Sequence, residues 1–389
     1  MSIVILGDLF SIPEGSAATN RVYTYAKGFE AAGVRTHVVG FLNTYMEQPD
    51  GVNDGISYYN PFGQKERSRS FFMRRYHKLL KYHRTFKLLK RIHRQDPIIA
   101  INRWSDFFTT QLFTWLMARY FGAKLITECN EHPLRFYQQG YFRKKEGLLR
   151  FYADAFLSDG ILCISRYLVD FHLKHSIKAK KLFHVPSTVD AARFQEKQSR
   201  PIKEFYIGYF GSLTFSRDNI GVLLNAFALL AAKQESPVLV LGGFCSPEEQ
   251  AKIKDLISTN GISKRVILLE FLSRTEIARY VQNADILVMV RAKDLGSDAS
   301  YPSKLTEFLA TGQPVVSADV GEVSDFIKDG ENAYLFPPND HEVLARKLEY
   351  IFLHYPEAVQ VGLQGRKLTH EVFSYQFQSG RILEYIKTL

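Results

Sequence analysis

Short apolar runs alternate with helix-length segments along this chain, and the alternation occurs twice. In the first half "IVIL" leads into a helical pattern from about Ala18 to Ala32, which Gly33 closes before "THVVG". "PIIAI", a helix around Phe107 to Tyr120, "AKLIT", a helix near Leu148 to Phe156, "GILCI" and "KLFHVP" continue the series. Residues 187–203 break it: they are polar, hold Pro201 and have no long apolar stripe. The pattern restarts with "FYIGYFG" and a helix from about Asp218 to Ala232, followed by "PVLVLGG", "RVILLEF", "ADILVMV", "QPVVSA" and "NAYLFP". Strands that alternate with helices are joined by crossovers, so their sheets are parallel and helices cover both faces. The expected fold class is α/β, with two doubly wound Rossmann-like parallel-sheet domains facing a cleft. The first domain spans residues 1–190, a linker 191–203, and the second domain 204–371. Ligands of such sheets bind at the carboxyl ends of the strands, which makes the cleft the expected site.

At 389 residues the chain exceeds what one compact core holds. Its apolar share of 46% and charged share of 23% are those of a folded soluble protein. No run of about 18 apolar residues occurs, so no membrane span is expected. The opening "MSIVILGDLF" has no basic stretch and soon meets Asp8; it reads as a buried strand rather than a signal peptide. Cys129, Cys163 and Cys245 are odd in number and form no CxxC, which predicts a reduced, cytoplasmic protein with neither a disulfide framework nor a zinc site.

The net charge of +10 is unevenly spread. From Lys65 to Arg94 basic residues recur throughout, interleaved with Phe71, Phe72, Tyr76, Leu79 and Tyr82, and the only acid is Glu66. Two readings fit this segment. A basic amphipathic helix suits an anionic membrane surface, at the inner face of the cell membrane. It equally suits a solvated helix whose apolar stripe packs on its own domain. No nucleic-acid recognition motif accompanies the charge, so nucleic acid is not an expected partner.

The segment "YPSKLTEFLATGQPVVSADVGE", residues 301–322, carries the sharpest chemical signal. Pro302 fits the first position of a helix. Leu305, Phe308 and Leu309 share one face and point to the core, while Ser303, Lys304, Glu307 and Thr311 share the other. Gly312 suits the left-handed residue that stops the helix. Before it lies a loop, "RAKDLGSDAS". Free backbone N–H groups, the positive end of the helix dipole and Lys304 then meet at one point, which favours phosphate. A carboxylate one turn on, Glu307, can accept two hydrogen bonds from a ribose diol. The same spacing also suits a plain surface ion pair between Lys304 and Glu307, worth about 0.2–0.5 kcal/mol.

From Pro302 to Asp340, "PSKLTEFLATGQPVVSADVGEVSDFIKDGENAYLFPPND" resembles the donor helix, the following strand and the closing stretch of the family-4 retaining glycosyltransferases of GT-B fold. "IGYFGSLTFSRDNIGVLLNAFALL" resembles the phosphate loop and helix that open that family's second domain, and "PEGSAATNRVYTYAKGFEAAGVRTHVV" resembles its first Gly loop. "GILCISRYLVDF" and "VPSTVDAARF" resemble the end of its first domain. The tail "FSYQFQSGRILEYI" resembles its last helix, so residues 372–389 are expected to cross back to the first domain.

The resemblance implies a nucleotide-diphosphate sugar donor held by the second domain and a glycan or lipid-linked acceptor held by the first. It implies retention of configuration, no metal and no cofactor. The absence of Asp-x-Asp from the sequence agrees with the last expectation. Glu307 matches the second glutamate of the family's Glu-x7-Glu motif, while Ala299 stands where the first belongs, which leaves Asp298 beside it, or Asp294, to contact the donor sugar. Arg217 falls at the phosphate-loop lysine, Gly211 at the loop's glycine, and Ser212 replaces a common arginine. Ser303, Lys304 and Leu305 complete the donor helix, and Gly15 and Ser16 are donor-binding candidates in the first Gly loop. In "LITECNEHPLRF" the family's His-Asp pair is replaced, which leaves Glu131 and His132 as candidates. Arg217, Lys304, Glu131 and His132 form the expected catalytic set. Two other readings stand beside transfer: a nucleotide-sugar epimerase or hydrolase on the same fold, and a non-catalytic nucleotide-sugar-binding subunit.

Overall fold

The computed structural model describes the chain except for residue 16 and residues 134–140, 195–197 and 270–271; within helices the side chains of residues 141–144, 146, 274 and 275 are also left undescribed. The chain divides into two units, residues 1–188 with 375–389, and residues 189–374. Each is a Rossmann-like sheet covered by helices.

The first unit holds strands β1 (Ser2–Gly7), β2 (Arg35–Gly40), β3 (Asp50–Asn53), β4 (Ile56–Tyr59), β5 (Ile98–Trp104), β6 (Lys124–Cys129), β7 (Gly160–Cys163) and β8 (Leu182–His184). They lie in the order β3-β4-β2-β1-β5-β6-β7-β8, parallel throughout except for the β3–β4 pair. The helices are α1 (Ala17–Ala31), α2 (Phe71–Gln95), α3 (Phe108–Phe121), α4 (Tyr141–Leu157) and α5 (Arg166–Lys174). β1 shows why its sequence is apolar without a break. Ile3 and Ile5 enter a core with Val22, Ala26 and Phe29 of α1, while Val4 and Leu6 enter another with Leu89 and Ile92 of α2 and Ala118 of α3. Successive strand residues point to opposite faces, and here both faces are covered. Each such side chain contributes about 1.5–3 kcal/mol by leaving water.

The second unit holds β9 (Tyr206–Phe210), β10 (Val238–Gly242), β11 (Val266–Leu269), β12 (Ile286–Met289), β13 (Val315–Ala318) and β14 (Tyr334–Phe336). Its helices are α6 (Ile220–Ala231), α7 (Pro247–Thr259), α8 (Arg274–Asn283), α9 (Leu295–Ala299), α10 (Ser303–Thr311), α11 (Val323–Phe326), α12 (His341–Leu353) and α13 (Tyr355–His370). The strands are all parallel, in the order β11-β10-β9-β12-β13-β14. The chain builds outward from β9 through β10 and β11, then starts again on the other side of β9 with β12. The order therefore reverses between β9 and β12, where such sheets open a crevice at their carboxyl ends. The last helix, α14 (Tyr375–Thr388), belongs to the first unit and packs on α1. A side chain at Gly28 of α1 would stand 2.8 Å from the Tyr375 carbonyl oxygen. Glycine is what lets the two helices approach.

Four local features differ from the sequence reading. Residues 191–203, expected as a linker, are packed on the second unit where described. Ala191 and Phe194 are buried, and Arg200 is ion-paired with Asp285 and donates to the Asn283 carbonyl at 2.9 Å. Their polarity is consumed by such bonds. "RAKDLGSDAS" is not a plain loop but contains α9, capped by Asp294, which accepts from the Ser297 N–H at 2.7 Å. The hairpin β3–β4 was not anticipated; its strands are short, and its turn places Asp54 and Gly55 at φ 53 and 80. Helix α4 starts at Tyr141, seven residues before the expected Leu148.

Candidate functional site

The site of the second unit begins where β9 ends. Gly211 donates its N–H to the Gly242 carbonyl at 2.9 Å, and a Cβ at Gly243 would run into the Gly211 carbonyl. Two backbones thus touch where no side chain fits. A Cβ on Gly211 would in turn lie 2.5 Å from Lys304 Nζ and 2.8 Å from the Tyr209 hydroxyl. Gly211 is therefore required by close approach rather than by an unusual φ. The ammonium of Lys304, from the first turn of α10, rests on this glycine.

The loop after Gly211 is braced internally. Thr214 donates its hydroxyl to Asp218 at 2.8 Å and accepts the Asp218 N–H at 3.1 Å. The Arg217 carbonyl accepts from the Ala292 N–H at 3.0 Å, which ties this loop to the residues following β12. Arg291, just past that strand, donates to Ser300 Oγ at 3.0 Å. Arg217 itself presents an exposed side chain.

Lys304, Arg217 and Arg291 feel one another. Burial pushes the Lys304 pKa below its usual 10.5; Asp218 and Glu307 pull it back up, and Arg217 and Arg291 depress it further. Arg291 is likewise lowered, first by burial and then by Arg217. Of the two nearby carboxylates, Asp218 is already held by Thr214, and Glu307 pairs with Arg193 at 3.6 Å. Three cations thus gather at the carboxyl ends of neighbouring strands β9 and β12, at the N-terminus of α10. Such a concentration of positive charge suits an anion with more than one negative oxygen.

Of the expected donor residues, the structure brings Gly211, Arg217 and Lys304 together. Glu307 lies one turn along α10, facing Arg193. Ser212 is exposed beside the loop, its carbonyl accepting from the Tyr209 hydroxyl at 3.0 Å. Ser303 opens α10. Asp298 sits half-buried within α9, its N–H donating to Asp294. Leu305 departs from the expectation: its side chain is fully buried in the core and its N–H is taken by the Pro302 carbonyl at 2.9 Å, so it presents nothing to a ligand. Gly15 belongs to the first unit, packed over the Thr19 side chain. Ser16 lies outside the described residues.

In the first unit a cavity of about 420 Å³ opens at the end of β6, lined by Glu128, Asn130, Glu131, His132, Gln111 and Arg150 among others. Glu128 is wholly buried. It accepts from Arg21 Nε at 2.9 Å and from the Tyr25 hydroxyl at 3.3 Å, while the other Arg21 nitrogens donate to the carbonyls of Val185 and Pro186 at 2.7 Å. Burial raises the Glu128 pKa and the Arg21 guanidinium works against that rise. His132 is buried against Phe171, ring centres 4.6 Å apart; burial and then His175 lower its pKa below 6.5. Both effects favour the neutral imidazole over the imidazolium. Glu131 is exposed at the rim.

Arg291, Arg193, Glu128 and Arg21 escaped the sequence reading. Arg291 and Glu128 carried a usable signal, since each stands at the carboxyl end of an apolar run, in "LVMVR" and "LITEC". Arg21 and Arg193 carried none, because their partners are distant in sequence.

Residues 190–368 match the family model described as glycosyl transferases group 1. EpsD of Bacillus subtilis (strain 168) is 29% identical over 187 residues, covering 48% of this chain and 46% of that protein. The amylovoran biosynthesis glycosyltransferase AmsK of Erwinia amylovora is 28% identical over 175 residues, covering 44% of this chain and 42% of its own. The chain spans less than half the length of these curated relatives. Among solved structures, Anabaena HepE in complex with UDP and glucose superposes with a TM-score of 0.73 at 16% identity, covering 100% of both chains. The chain thus has the GT-B glycosyltransferase fold, and from residue 190 to residue 368 its second unit matches the glycosyl transferases group 1 family.

Proposed function

We propose that the protein is a glycosyltransferase that moves a hexosyl group from a nucleoside diphosphate sugar to a hydroxyl of a glycan or lipid-linked acceptor, with retention and without a metal. The observation that carries the reading is the seating of Lys304 on the glycine after β9, with Arg217 and Arg291 near enough to depress its pKa. As the bond from the anomeric carbon to the phosphate breaks, charge grows on the leaving oxygen. Fixed cations at a helix N-terminus stabilise that charge without reorganising. The acceptor oxygen then bonds the anomeric carbon on the face the phosphate leaves, and the acceptor proton passes to the leaving phosphate oxygen. Glu307 holds the ribose, Arg193 keeps that carboxylate in place, and Asp298 is available to the sugar. Glu131 and His132 line the cavity of the first unit as acceptor-side groups.

A uridine nucleotide is the first donor to test, since HepE was solved with UDP and glucose. The reading assigns the protein to the cytoplasm and to cell-envelope polysaccharide synthesis; AmsK, one of its relatives, is named for amylovoran biosynthesis. A thermal-shift panel of nucleoside diphosphates and their sugars, run with EDTA present, tests binding, because a ligand stabilises according to its affinity for the folded state. Stabilisation by one base, lost in Arg217→Ala and Lys304→Ala, is the expected result. Unchanged melting with every nucleotide would refute the site. Donor consumption without an acceptor would show a hydrolase or epimerase instead.

A further inference from the structure

Helix α2 packs on the sheet through one stripe, Lys81, Thr85, Leu89 and Ile92, and this accounts for its C-terminal half. Its N-terminal half does something else. Phe72 and Leu79 are 82% and 70% exposed, on a helix that holds Lys or Arg in nearly every turn and neither Asp nor Glu. The neighbouring helix continues the anomaly. Phe108, Leu112, Leu116 and Tyr120 of α3 are spaced four apart, so they share a face, and all four are exposed. On α4, Leu149 and Phe156 are exposed by 72% and 82%. The three helices adjoin: the Tyr82 hydroxyl donates to Thr109 Oγ1 at 3.2 Å, the rings of Phe86 and Tyr120 lie 5.3 Å apart, and α3 packs along α4. A helix layer ordinarily turns its polar side outward, and single exposed apolar residues need no explanation. Apolar and basic side chains exposed together on three adjoining helices do.

We propose that this face, formed by the N-terminal half of α2 with α3 and α4, docks on an anionic lipid bilayer. Aromatic and leucine side chains at the acyl boundary, with Arg75 and Lys78 beside them among the headgroups, are what such a surface binds. A second copy of this chain fits less well. A two-fold contact would set the cations of α2 against themselves, with no acid on that helix to pair them. The face also adjoins the cavity of the first unit: Asp106, Gln111 and Arg150 line that cavity, and Phe107, Leu112 and Leu149 are their exposed neighbours in sequence. Under the transfer reading, on which this one consequence rests, the acceptor is carried by the lipid.

The test is co-sedimentation of the full chain with vesicles of phosphatidylglycerol and phosphatidylcholine, against phosphatidylcholine alone. Binding is expected only with the anionic lipid, and it falls about tenfold or more between 0.1 and 0.5 M salt, as screening requires. Arg75→Glu with Lys78→Glu removes it, and so does Phe72→Ser with Leu116→Ser. All four positions are exposed, so the melting temperature stays within a few degrees of the parent. Equal binding to both vesicle types, no binding, or binding that neither double variant weakens would overturn the proposal. So would a dimer in sedimentation velocity that the same variants dissolve, which would assign the face to a second copy. No sugar or nucleotide enters this assay, so its failure leaves the transfer reading intact.

Discussion

Lys304 meets two opposed demands: burial favours its neutral form, and the role proposed for it requires the charge. The conflict gives a pH prediction with a definite sign. In the free protein its pKa lies below 10.5, because burial and the two arginines outweigh Asp218 and Glu307. A bound diphosphate favours the ammonium and raises that pKa again. Affinity for a nucleoside diphosphate therefore falls as pH rises through the lowered pKa, earlier than an ordinary lysine would dictate. Calorimetric titrations from pH 7 to 10 measure this directly. In Lys304→Arg the fall disappears, since a guanidinium keeps its proton over that range. At fixed pH 7, Arg217→Ala and Lys304→Ala each weaken diphosphate binding by about tenfold or more, the scale of a lost charge-assisted contact. Glu307→Ala weakens donor binding with little change in melting temperature, because its pair with Arg193 is partly exposed and such pairs contribute about 0–1 kcal/mol.

At the scale of elements, α2 carries a cost that can be measured. Lys81 is turned inward, donating to the Phe41 carbonyl at 2.6 Å, and burial lowers its pKa to about 8. Below pH 8 the folded and unfolded chains both hold the proton. Between about 8 and 10.5 the unfolded chain keeps it while the folded chain has lost it, so stability rises with pH across that window. The gain is at most about 3 kcal/mol. Lys81→Met removes this slope, which denaturant midpoints at pH 7.5 and 10 would show as a smaller difference than in the parent. Legibility also divides at this scale. Long buried strands such as β1 and β9 were readable because both faces are covered, which makes their sequences apolar without interruption. β3 and β4 were not, since each has four residues, of which β4 buries Ile56 and Tyr58 and β3 buries none. Of the candidate site, Gly211, Arg217, Lys304 and Glu307 stand in local patterns that a single segment displays. Arg291 and Glu128 showed only as polar residues at the ends of apolar runs, while Arg193 and Arg21 depend on segments that meet only in three dimensions, and no local pattern encodes such a meeting.

For the molecule as a whole, the placement of α14 joins sequence-distant ends of the first unit. Gly28→Leu would drive a side chain into Tyr375 and Ser379 and separate α14 from α1. Overpacking of this kind costs typically about 1–3 kcal/mol. The loss belongs to the first unit. Thermal unfolding of the variant should show that unit melting earlier, while nucleotide stabilisation of the second unit persists. Loss of nucleotide stabilisation in Gly28→Leu would show that the two units are not energetically separate. The same arrangement has a consequence for how the protein is made. Residues 189–374 emerge from the ribosome between the strands of the first unit and the helix that completes it. The second unit is contiguous and can close as soon as it is synthesised. The first must wait with its α1 face uncovered, and it is during that interval that a nascent chain of this design needs a chaperone.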